Sequence, residues 1–180
     1  SRHHTELTGT IVPVSGGGIQ DGLDLNIHAN YIDLSFLSKY TRGIFSNLQG
    51  RASGWTRVFG PFKYVNLEGN MFVNEMKMHV KALGTDYHMA NDSVILRPDN
   101  IWIRGARAFD DMGGPGMTEH SATVDAHLMH DCLKKLSFNI NIDGHNILGY
   151  NLPQQGSMSF YGTAYADAQV QLTGKPGSTT

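Results

Sequence analysis

The sequence predicts an all-β fold: an elongated, curled sheet of long alternating strands, a half-pipe with an apolar concave face, plus one short helix. Three observations lead there. Apolar and polar residues alternate with period two over most of the chain, as they do in half-buried strands. Glycine takes 21 of 180 positions, above the usual ~7%, while charged residues make up only 17%, below the usual ~25%. Two long alternating segments also resemble each other, as repeated strand units do.

The same composition limits the possible partners. The length suits one domain. Fourteen basic and 16 acidic residues leave a net charge of −2, and no basic run exceeds Lys134-Lys135. A nucleic-acid binder would show a basic stripe, so nucleic acid is not an expected partner. No apolar run reaches the ~18 residues of a spanning helix. The single cysteine, Cys132, rules out an internal disulfide framework without fixing the compartment. The opening Ser1-Arg2-His3-His4 reads as the start of a mature chain or of a segment excised from a longer one.

The elements follow in order. Leu7 to Ile11 is a short alternating run, a weak copy of the later repeat, and Gly16-Gly17-Gly18 is a loop because no helix follows it. From Leu23 to Asn30 the alternation is unbroken. Leu23, Leu25, Ile27 and Ala29 share one face; Asp24, Asn26, His28 and Asn30 share the other. Residues 35–43 break the period. Phe36, Leu37 and Tyr40 take helical spacing after Ser35 as a possible N-cap, with Gly43 placed to end a helix of about two turns.

Leu48 to Gly60 returns to period two with small residues. One face reads Leu48, Gly50, Ala52, Gly54, Thr56, Val58, Gly60, and the other carries Arg51, Trp55, Arg57 and Phe59. Ala122 to Leu128 and Leu136 to Ile142 alternate in the same way, the latter with Leu136, Phe138, Ile140 and Ile142 on one face. Phe160 to Gly174 repeats the small-residue pattern through Gly162, Ala164, Ala166, Ala168, Val170 and Leu172. Glycines in register within strands allow bending or the close approach of another chain. Turns fall at Gly60-Pro61, Pro98-Asp99, Gly113-Gly114-Pro115-Gly116 and Asp143-Gly144, giving roughly ten to twelve strands. A wide alternating sheet must close into a barrel, stack, or curl into a trough. The long strands and the repeat favour the trough over a closed carrier barrel, with a fibre-like repeat module as a third architecture.

No residue cluster specifies catalysis. His127 and His130 lie three apart on a strand and face opposite sides, so with His120 and Asp131 they do not converge as metal ligands must. Asp110-Asp111 precedes the glycine cluster and reads as an Asx turn cap rather than an acid–base pair. Cys132 has no base partner at a readable spacing, and no nucleophile elbow or phosphate loop appears. The expectation is a non-enzyme without catalytic residues, metal or cofactor. Eight methionines spread through the strands and turns suit either core filling or an adaptable apolar surface.

Several stretches carry a family resemblance. They are the run from Leu23 to Val73, ALGTDYHMANDSVILRPDNIWI, AHLMHDCLKKLSFNINIDGHNILGYN and FYGTAYADAQVQLTGKP. In this order they resemble the C-terminal region of TamB-like proteins of the AsmA-like superfamily, in a Bacteroidetes-like form, over residues 7–176. The glycine-rich turn at Gly113 to Met117 departs from that pattern. The resemblance implies a curled sheet with an apolar trough, in the periplasmic part of a protein anchored in the inner membrane of a Gram-negative bacterium. It implies an Omp85-type outer-membrane barrel as partner. It also implies work in outer-membrane protein assembly or phospholipid transport. The expected lipid- or client-facing residues are Leu23, Leu25 and Ile27; Leu136, Phe138 and Ile140; and Phe160, Ala164, Val170 and Leu172.

Overall fold

The computed structural model describes residues 4–12, 22–35, 38, 45–81, 83–132, 134–152 and 162–174. Ten strands form one antiparallel sheet. They are β1 (His4–Val12), β2 (Gly22–Asp33), β3 (Phe45–Pro61), β4 (Asn66–Val80), β5 (Thr85–Met89), β6 (Asp92–Arg97), β7 (Asn100–Phe109), β8 (Ser121–Asp131), β9 (Lys134–Leu152) and β10 (Gly162–Gly174). Neighbours in sequence are neighbours in space. One place is shared: β5 and β6 both lie between β4 and β7, at opposite ends, so together they act as one interrupted strand. Among the described residues β1 and β10 do not pair, and the sheet is open rather than a closed barrel. The helix expected over 35–43 lies outside the described residues except for Ser35 and Ser38; the Ser35 N–H donates to Asp33 Oδ1 at 2.7 Å.

The sheet is not flat. β7 and β8 stand between β5 and β9, which would put these about 14 Å apart in a flat sheet. Instead the Asn151 N–H donates to the Leu83 carbonyl at 2.8 Å, and the Tyr87 hydroxyl donates to the Leu148 carbonyl. Bulges in β9, on either side of its pairs with Tyr165 and Ala166, let its far end bend across the ends of β7 and β8. Tyr87 pairs with Met78, on the sheet face that the register makes apolar.

Two aspartates hold the two ends. At the curled end Asp110 is 1% exposed and accepts from the Met112 N–H at 2.9 Å, the Leu148 N–H at 2.9 Å and His120 Nδ1 at 3.2 Å. At the other end Asp99 occupies the turn between β6 and β7 with φ 60°. Asp99 Oδ1 accepts from Asn66 Nδ2 at 2.8 Å and the Cys132 N–H at 2.9 Å, tying the start of β4 to the β8–β9 turn.

Glycine permits the tight middle of the sheet. Gly54 and Gly69 have φ of 143° and 148°. A Cβ on Gly69 would sit 2.1 Å from the Trp55 carbonyl oxygen, and one on Gly54 would sit 2.4 Å from that of Asn70.

Candidate functional site

Residues paired across antiparallel strands share a face, so the register can be followed sideways through the sheet. One row runs Ile27, Thr56, Gly69, Leu96, Ile101, Leu128, Phe138, Gly174. The next row on the same face runs Ala29, Gly54, Met71, Val94, Ile103, Ala126, Ile140, Leu172. Apart from Thr56 these positions are apolar or glycine, over eight strands. Seven strand spacings make the rows about 34 Å wide. Leu25 with Val58 and Leu67 extends the face on one side; Val124 with Ile142 and Val170 extends it on the other.

The row between them belongs to the opposite face and reads His28, Trp55, Asn70, Ile95, Trp102, His127, Asn139, Thr173. This face carries the charges and polar pairs. Arg57 bridges Asp24 at 2.7 Å and Glu68 at 3.1 Å, and its hydrogen bond holds the Asp24 carboxyl below its usual range. Trp102 stacks on His127 at 4.9 Å, and His127 Nε2 lies 2.7 Å from Asn100 Oδ1. Arg107 sits over Phe109 and donates to the Met117 carbonyl and Ser121 Oγ, which places the Asp110–His120 loop against this polar face. Tyr165 on β10 meets the same loop, edge-on to His120 and 3.5 Å from the Met112 sulfur.

The structure places most of the expected residues on one face, in two separate groups. Leu23, Leu25, Ile27, Phe138, Ile140, Ala164, Val170 and Leu172 share the apolar face, although they come from strands at opposite sides of the sheet. Leu136 belongs to β9, but only its backbone is described; Phe160 lies outside the described residues. The face is only lightly covered. Leu23, Leu25, Ile27, Phe138 and Ile140 are half-buried, and Val170 and Leu172 are 40% and 46% exposed. Ala52, Ala106, Ala122 and Ala126 are buried, as are Ala29 and Leu96.

Sequence reading did not anticipate Ile101, Ile103, Leu96 and Val94, which supply the centre of both rows. Their alternation was legible, but β6 is short and its register depends on the Pro98-Asp99 turn. Met71, Met78 and Met89 fall on the apolar face, while Met112 and Met117 are exposed in the 110–120 loop. Asp110 caps a turn through Met112, as its position before the glycines suggests, and also holds Leu148, which lies 38 residues away.

Histidine chemistry is dispersed. His130 has a fully buried side chain whose pKa burial pushes below its usual value, and its Nδ1 lies 3.6 Å from Asp99 Oδ1. Among the described residues no group of histidine, cysteine and carboxylate side chains is arranged to hold a metal ion. Comparison with family models, with curated proteins and with solved structures finds no match.

Proposed function

We propose that this chain is a TamB-like segment of the periplasm. Its apolar sheet face would shield phospholipid tails in transit between the inner and outer membranes of a Gram-negative cell, working with an Omp85-type barrel. The observation that supports the reading is the pair of rows across eight strands, apolar or glycine except for Thr56 and mostly half-buried, while the charged pairs lie on the opposite face. Burial of apolar surface is non-directional and yields about 0.8 kcal/mol per methylene. A face without directional contacts therefore holds an acyl chain and still lets it slide. Gly54, Gly69 and Ala126 keep side-chain bulk low in the same rows as Ile27, Met71, Ile103 and Ile140. An unfolded outer-membrane strand, with its alternate apolar residues, would use the same surface.

The test is extraction and mass spectrometry of the chain purified from a Gram-negative host. Phospholipid recovered with the wild-type chain and lost from an Ile103→Asp/Ile140→Asp variant of unchanged circular dichroism supports the reading. A lipid-free wild-type chain that also fails to take up phospholipid from vesicles argues against it. Crosslinking to an unfolded outer-membrane protein in that case would move the assignment to the protein client.

A further inference from the structure

We propose that the outer edge of β10 pairs with the same edge of a second copy of this chain, antiparallel and centred on Ala168. The inference is independent of what the apolar face carries.

Among the described residues β10 ends the sheet, and its own sequence lacks the usual protection of an edge. Edge strands are normally kept from pairing by lysine, proline, bulges or short length. β10 runs 13 residues, GTAYADAQVQLTG, with no lysine, arginine or proline and a single acid, Asp167. Its two irregularities against β9 place the extra residue in β9, so β10 itself stays regular. Ten of its 13 residues are exposed, and Ala164, Ala168 and Gly174 are half-buried.

The strand is also complementary to itself. Pairing about Ala168 is the one antiparallel register that uses the strand's whole length. On the apolar face it sets Ala164 opposite Leu172 and Ala166 opposite Val170, a small residue against a large one each time. On the polar face it sets Thr163 opposite Thr173, Tyr165 opposite Gln171 and Asp167 opposite Gln169. The lone charge meets an amide. Sliding two residues toward the strand start would put Asp167 opposite its own copy, and like charges directly opposed are unfavourable. Sliding one residue would swap the faces. A two-fold axis through this register is isologous and closes at a dimer, and it keeps both apolar faces on one side, so the rows ending at Gly174 and Leu172 continue into the second copy.

The register makes a specific prediction in a Cys132→Ser background. Ala168→Cys places two thiols directly opposite, with Cα atoms about 4.5–5.5 Å apart, inside the range of a disulfide. Ala166→Cys leaves its two thiols about 13 Å apart along the strands. Mild oxidation should therefore crosslink the Ala168→Cys chain to a dimer and spare Ala166→Cys. In sedimentation the wild-type chain should run as a dimer. Gln169→Asp, which opposes two carboxylate pairs across the axis, should weaken association about tenfold or more, while Gln169→Lys should preserve or tighten it. A wild-type chain that sediments as a monomer at high micromolar concentration overturns the proposal. So does equal crosslinking at 166 and 168, or an identical response to Gln169→Asp and Gln169→Lys.

Discussion

Replacing Asp110 with alanine removes the acceptor from which the curled end of the sheet hangs. The carboxylate is 1% exposed and takes three hydrogen bonds: Met112 N–H and His120 Nδ1 within its own loop, and Leu148 N–H from β9. Hydrogen bonds to a charged group contribute about 1.5–3 kcal/mol each, and a buried donor left without a partner costs about 1–3 kcal/mol. Met112 is exposed and can turn to water; the Leu148 N–H, in a residue 8% exposed, cannot. The expected cost of Asp110→Ala is therefore about 3–5 kcal/mol, dominated by Leu148 and the charge-assisted bonds. Asp110→Asn keeps one acceptor oxygen and should cost about half as much. Urea unfolding of both variants measures the difference, and hydrogen exchange locates it. Protection should fall first at Leu148 and Asn151, whose N–H groups bridge to Asp110 and Leu83. A loss below about 1 kcal/mol for the alanine variant, or exchange unchanged at those two amides, would refute this account of the curl.

Two further outcomes follow from the same structure. Gly69→Ala should destabilise the sheet by about 2–4 kcal/mol, because its φ is 148° and the added carbon would lie 2.1 Å from the Trp55 carbonyl oxygen; Gly105→Ala, with open space around it, should cost less, and equal midpoints in urea would contradict the packing argument. Acid should weaken the hairpin end in two stages. His130 has a folded pKa held below 6.5 by burial, so the stability it contributes is present above pH 6.5 and lost as pH falls through the lower folded value. Asp99 is held below 3.8 by the Cys132 N–H and the Asn66 amide, so its contribution is present above pH 3.8 and lost as pH falls through its own lower value. Urea midpoints against pH should lose the upper stage in His130→Leu and the lower one in Asp99→Asn; a wild-type profile flat from neutrality to pH 3 would contradict both assignments.

The faces were legible before the fold was known. Alternation alone assigns Leu23, Leu25 and Ile27 to one side of their strand and Phe138 and Ile140 to one side of theirs, because period two leaves no other arrangement. That these strands, more than 100 residues apart in sequence, present the same side of one sheet depends on each intervening register. Bulges decide those registers. One extra residue between Ala29 and Ile32, and another between Ile103 and Ala106, preserve the apolar side where simple counting would have reversed it. The aspartate clamps were half legible. Asp99 after Pro98 and Asp110 before the glycines are turn residues by type, but their partners Cys132 and Leu148 are set by tertiary closure. The split of one strand position between β5 and β6 left no periodic signal, since each piece is short.

The proposed function requires that one face of this sheet receive apolar chains while the other faces solvent. Site-specific photocrosslinking at sequence neighbours tests it most directly, because adjacent residues on a strand point to opposite faces. A photoreactive phenylalanine at Leu25, Ile103 or Ile140, introduced one position at a time, should form phospholipid adducts in cells and with vesicles. The same probe at Asn26, Trp102 or Asn139 should form none. Adducts of equal yield at both members of each pair, or adducts confined to Asn26, Trp102 and Asn139, would contradict the account.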